Sequence, residues 1–420
     1  MLRLKKMMDF KQKLYTYAQL LIEHGLNVQK GQIVNITAEI CHRELTHLLC
    51  QIAYRRGAKH VNVDFIEPRL IRTRLLDSIE DHDLAYVPHY LSQKYEEFVK
   101  EGAAVLRLIG SELPDNLTDL NPQKINTLSN SNFKALKKYY TEGVSKSKVQ
   151  WTVAAAATPR WGKKVFPELE EAKACEALWE QIFKICRADQ PNCLELWKKH
   201  NSVLQARAKH LTKMKIRELH FTGPDTDLKV FLSPQALFVG GGSQGPRGEF
   251  EPNIPTEECF TTPDYRLTTG KVKVTRPVLV NGKIVKDLHL EFKEGKLVHF
   301  EASEGEENFA RYIDNDAGSR FLGEVALVGT DSPIFQTGKI FEEILYDENA
   351  ACHIAVGFAY SMCIDGGPLM SPDQLADIGC NVSTVHVDMM ISDEHVDVEA
   401  TTYEGKKVKL ICKGQWMQGL

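Results

Sequence analysis

The chain has 420 residues, 43% of them hydrophobic and 26% charged, with a formal net charge of −4. That length exceeds one ordinary hydrophobic core and implies two domains or three, and the composition is that of a globular protein. The slight acidic balance argues against a nucleic-acid binder, and no stretch reaches the roughly 18 apolar residues of a membrane span.

Asp9, Lys11 and Lys13 interrupt any apolar signal segment at the start. An amphipathic helix is expected from Lys11 to His24, stopped by Gly25. Gly31 to Ile36 reads as a turn and a buried strand, followed by a helix from His42 to Arg56 that ends at Gly57. His42 and His47, five apart, read as an exposed helix face and form no H-E-x-x-H motif. His60 to Phe65 is strand-like, a helix follows through Ile71 to Leu76, and Ala103 to Ile109 and Gln150 to Ala155 are further apolar runs. Strands alternating with helices imply a Rossmann-like parallel α/β domain, taken to cover residues 1–215.

Helices near Pro167 to Ala188 and Asn192 to Met214 follow, with Trp179, Trp197, Leu204 and Leu211 as core anchors. From Ile216 the pattern changes to short alternating runs, so residues 216–420 are expected to form a β-rich domain. Asn281-Gly282 between Val278 to Val280 and Ile284 to Phe292 signals a hairpin, because Asn-Gly supplies the positive φ angles of a type I′ turn. Glu294-Gly295 marks a second turn, and a long helix is expected near Gly338 to Leu345. The ten cysteines include no C-x-x-C pair, a usage that fits reduced thiols in a cytoplasmic protein, Cys259 and Cys352 included.

The β-rich half carries the chemistry. In the run Ser383 to Ile391, residues 385, 387, 389 and 391 are apolar and share one face, so His386 and Asp388 project together from the other. An ordinary half-exposed strand explains the same pattern. His353 and Tyr360 lie on one face if their segment is helical. If it is extended they have opposite parity, and a bend at Gly357 is needed to bring them together. The polar string Asp347-Glu348-Asn349 stands just before small apolar residues, which is unusual unless something needs it. Glu258 follows Pro255, Thr256 and Glu257; Glu324 opens an apolar run, where an unpartnered carboxylate is costly to bury. Such oxygen and nitrogen donors suit divalent metals with coordination positions left open. Gly241-Gly242-Ser243-Gln244-Gly245 matches the serine nucleophile elbow, but Pro246, Gly248 and Pro252 leave no helix to follow it, so a loop is expected.

Several blocks together resemble the thermophilic aminopeptidase family of dinuclear metallopeptidases, the aminopeptidase S and aminopeptidase T group. They are Tyr17 to Gln32, Trp151 to Lys164, Gly223 to Leu228, Asn253 to Thr261, Leu322 to Val328, Asp347 to Gly357 and Asn381 to Asp388. The resemblance implies an α/β N-terminal domain, a β-rich catalytic domain and a homodimer. By position it places metal ligands at Glu258, Glu324, His353, Tyr360, His386 and Asp388, with Glu258 preferred over Glu257. It implies two divalent ions, of zinc, cobalt or manganese, acting on peptides with a free N-terminus. Glu324 is the expected bridge, Tyr360 a ligand or an oxyanion donor, and Glu257 the first choice for the proton-shuttling acid.

Overall fold

The computed structural model describes residues 2–280 and 282–420, with side chains from residue 9 onward. The chain forms two compact units, residues 1–199 with 242–255 and residues 200–241 with 256–420. Among the described residues no helix is long and apolar enough to cross a membrane.

In the first unit the alternating runs become a five-stranded parallel sheet. Its strands are β1 (Ile33–Glu39), β2 (His60–Ile66), β3 (Ala104–Ile109), β4 (Gln150–Ala155) and the short β5 (Asn253–Ile254), in the order β2-β1-β3-β4-β5. The chain runs outward from β1 to β2, then returns to lay β3 on the other side of β1, which is doubly wound topology. Strand β3 buries Ala104, Val105 and Leu106 in succession, as a strand covered on both faces must. The expected helices form at Leu2–Leu20, Arg43–Arg55, Pro68–Asp77 and Glu171–Ile185. Trp197 is fully buried, its indole N–H donating to the Cys186 carbonyl at 2.7 Å.

Two local expectations change. His42 is buried rather than exposed, because it sits in the 3-10 turn before the helix and its Nε2 lies 2.7 Å from the Gly110 carbonyl. His47 stays exposed. Ser243 opens a small antiparallel hairpin, Ser243–Gly245 with Gly248–Phe250, so the G-x-S-x-G match is a turn with no elbow.

The second unit holds an eight-stranded sheet and a four-stranded antiparallel sheet. The smaller sheet consists of β6 (Cys259–Thr261), β7 (Leu322–Leu327), β8 (His353–Gly357) and β9 (His386–Met390), paired in that order. Val325, Leu327, Ile354, Val356, Val387 and Met389 join Leu219, Phe221, Leu228 and Val230 of the larger sheet in one apolar core. Strand alternation therefore assigns residues 324, 326, 353, 355, 386 and 388 to the opposite face.

The hairpin forms with Val280 opposite Lys283 and Gly282 at φ 75°; Asn281 itself lies outside the described residues. Its second strand is shorter than expected, since Asp287 at φ 49° separates Lys283–Val285 from His289–Lys293. The long helix expected near Gly338 to Leu345 is absent. Gly338 and Glu342 take positive φ angles, and the Asp347 carboxylate accepts the Phe341 and Glu343 N–H groups at 3.0 and 3.3 Å. Those donors are committed to a side chain, and only the single helical turn Ile344–Asp347 remains.

Gly357 ends β8 at φ 106°, and a Cβ there would stand 2.0 Å from the Val385 carbonyl oxygen. Gly357→Ala should therefore destabilise the protein by about 3 kcal/mol or more, combining left-handed strain with a backbone clash. Urea denaturation measures this, and a loss within experimental scatter would mean the bend relaxes without cost.

Candidate metal centre

The polar face of the small sheet is built from three adjacent strands. Ala355 pairs with Glu324 on one side and Asp388 on the other, and His353 pairs with Ala326 and Met390. The two alanines keep the surface low between the longer side chains, so the carboxylates and imidazoles can lean together. The irregularity in β7 between Leu322 and Glu324 falls at Gly323, where a Cβ would meet the Phe358 oxygen at 2.2 Å and the Gly357 oxygen at 2.5 Å. Only glycine lets the backbones approach this closely beside Glu324.

Two triads result, Glu258 with Glu324 and His353, and Glu324 with His386 and Asp388. Glu324 belongs to both. His353 Nε2 lies 3.2 Å from Glu258 Oε2 and 3.7 Å from Glu324 Oε1. His386 Nε2 is 3.3 Å from both Glu324 Oε2 and Asp388 Oδ1. Each imidazole is oriented from behind: His386 Nδ1 meets the Phe358 carbonyl at 2.8 Å and His353 Nδ1 the Ala351 carbonyl at 3.3 Å. A proton on Nδ1 donates to those carbonyls and leaves the Nε2 lone pair facing the carboxylates.

Such a cluster is short of positive charge. Glu258 Oε2 is buried and, among the described residues, has an ion-pair contact with His353 at 3.2 Å but no hydrogen bond. Burial, and then the negative charges of Glu324 and Asp388, push the Glu258 carboxyl up despite His353. Burial alone would lower His353 and His386, but the facing carboxylates outweigh it and hold both imidazoles well above their usual range. In Asp388 burial raises the carboxyl and the His386 charge more than reverses it, so the net direction is down. Divalent cations fit this donor set: buried, mostly oxygen, with imidazole Nε2 atoms aimed inward.

Tyr360 comes round to the same edge after the Gly357 bend, its ring 5.2 Å from that of His386 and packed edge-on against Phe260 and Phe358. Burial and then the negative charges of Glu324 and Asp388 hold its phenol well above the usual range. Glu257 stands beside another imidazole. Its carboxylate is 3.5 Å from His200 and lies outside both triads.

Glu348 carries no role in the sequence reading, yet it joins the group. Burial, followed by the charges of Asp388, Glu258 and Glu324, drives its carboxyl well above the usual range. It borders a void of about 20 Å³ that also touches Asp388 and is walled by Leu279, Ile284 and Ile344, room for about one water. The signal was the polar string Asp347-Glu348-Asn349. Asp347 shapes the preceding loop, with burial pushing its carboxyl up to about 6, while Asn349 is fully buried.

The model of the thermophilic metalloprotease (M29) family matches residues 10–416. Aminopeptidase T of Thermus thermophilus is 39% identical over 409 residues, covering 97% of this chain and 99% of that protein. Aminopeptidase AmpS of Bacillus subtilis is 36% identical over 413 residues, with the same two coverages. The solved structure of wild-type AmpT from Thermus thermophilus superposes with a TM-score of 0.90 at 37% identity, over 97% of this chain and 100% of that one.

Proposed function

This chain belongs to the thermophilic metalloprotease (M29) family and is a metal-dependent aminopeptidase, and on that premise we propose that two divalent ions are held by the two triads sharing Glu324. Glu258, Glu324 and His353 would hold one, and Glu324, His386 and Asp388 the other. The observation that carries this is the shared carboxylate, each of whose oxygens faces a different imidazole. When bound, the ions supply Lewis acidity, polarising the scissile carbonyl and acidifying water.

The chain's own residues do the remaining work. Glu348 is placed to take the proton of the attacking water and return it to the leaving amine. We prefer it to Glu257 in that role because it lines one cavity with Asp388 and feels the charges of both triads, whereas the Glu257 carboxylate lies 3.5 Å from His200. Tyr360 presents its phenol beside His386, as a further ligand or as the donor to the developing oxyanion. Zinc, cobalt and manganese all suit the ligand types, since affinity order alone does not set the metal. A cytoplasmic setting and a homodimer complete the reading; the ten cysteines are free thiols, as a reducing compartment allows.

Protein stripped with a chelator and reloaded with Zn²⁺, Co²⁺ or Mn²⁺ should release the first residue of a peptide with a free amine and leave the N-acetylated peptide intact. The free amine is what separates an aminopeptidase from an endopeptidase in this test. Equal cleavage of both peptides would identify an endopeptidase or a general amidohydrolase. Failure to release any residue with every metal would sink the two-ion reading.

A further inference from the structure

We propose that Asn349 is a positioning residue whose side-chain amide fastens the loop carrying Glu258 to the carboxylate of Glu348, an inference that rests on Glu348 as the proton carrier. Asn349 is completely buried. Its Oδ1 accepts the Glu257 backbone N–H at 2.7 Å, next to Glu258. Its Nδ2 donates to the Leu345 carbonyl at 3.0 Å and to Glu348 Oε1 at 3.3 Å. The Asn349 backbone is held in turn, since the Ser332 hydroxyl donates to its carbonyl at 2.6 Å.

The partners settle which end of the amide is which. A backbone N–H demands an acceptor on one side, and the Leu345 carbonyl demands a donor on the other. No other neutral side chain of this size carries its acceptor and a two-proton donor on separate atoms. One end fixes the segment that delivers Glu258 to His353. The other holds the Glu348 carboxyl at the cavity it shares with Asp388, where one neutral donor stops it from turning away. The bond pairs a metal-side loop with a proton-side residue, so the two halves of the site move together.

Two substitutions separate the jobs. Asn349→Asp keeps an oxygen for the Glu257 N–H and turns an oxygen toward Glu348. Asn349→Ala removes both contacts. In the metal-loaded enzyme Asn349→Asp should lower kcat at least about tenfold with KM little changed, while Zn²⁺ affinity of the stripped protein, read by chelator competition, stays within about threefold. Asn349→Ala should lower Zn²⁺ affinity at least about tenfold as well as kcat.

A merely structural amide would shift the melting temperature of both variants and leave kcat and Zn²⁺ affinity of the folded protein unchanged. That result overturns the proposal, as does an equal loss of Zn²⁺ affinity in both variants. If Asn349→Ala does not fold, the kcat-against-KM split of Asn349→Asp still decides. Glu348→Gln is the control. Wild-type kcat in that variant removes the Glu348 premise, whereas a slow Glu348→Gln beside a normal Asn349→Asp refutes the Asn349 role alone.

Discussion

Glu324→Gln is expected to lower kcat/KM at least about a thousandfold, or about 4 kcal/mol of transition-state stabilisation, and to leave the purified protein depleted of metal. The size follows from its place in the structure. Glu324 is the one residue common to both triads, and its two oxygens face His353 and His386 separately. Its neighbours along and across the sheet, Ala326 and Ala355, are too short to substitute. Glutamine keeps the volume and the strand, so the fold should survive, but one side of a neutral amide presents a donor where a cation must sit. Metal content by mass spectrometry after dialysis, together with kcat/KM, checks the outcome. Full metal occupancy with activity within tenfold of the parent would falsify the shared-ligand assignment.

Glu348→Gln should lower kcat by about two to four orders of magnitude, the range for losing a positioned proton carrier, while retaining both metal content and KM. Its carboxyl feels the charges of Asp388, Glu258 and Glu324 and borders one cavity with Asp388, but belongs to neither ligand triad. A residue that only moves protons should be separable from metal binding, and one that only packs should affect neither. Steady-state kinetics alongside metal analysis distinguishes these cases. Loss of metal in this variant would make Glu348 a ligand, and unchanged kcat would return the proton role to another acid.

Parts of this site were legible because a strand has a period of two. The apolar residues at 387 and 389 on one face required His386 and Asp388 on the other, and the structure places them so. The His353–Tyr360 spacing fits two geometries, because spacing alone does not separate a helix from a bent strand. The strand with a bend at Gly357 is what forms. The helix near Gly338 to Leu345 failed for a related reason: local pattern does not show that the Asp347 side chain will take the backbone donors. Glu348 stood out as an oddly placed acid, with nothing nearby in sequence to reveal the charges facing it.

By itself, then, the order of residues determined what short-range periodicity and motif content can carry: a parallel α/β part, a β-rich part, the oxygen and nitrogen donors, and the family they belong to. Tertiary structure decided which donors meet. The return of residues 253–254 to the edge of the parallel sheet, the turning of Glu258 toward His353 and of Glu257 toward His200, and the shared cavity of Glu348 and Asp388 all join positions far apart in the chain or divide neighbours. Such contacts are selected by packing of the shared core and by the need to neutralise buried charge, and neither is a property of any local stretch of sequence.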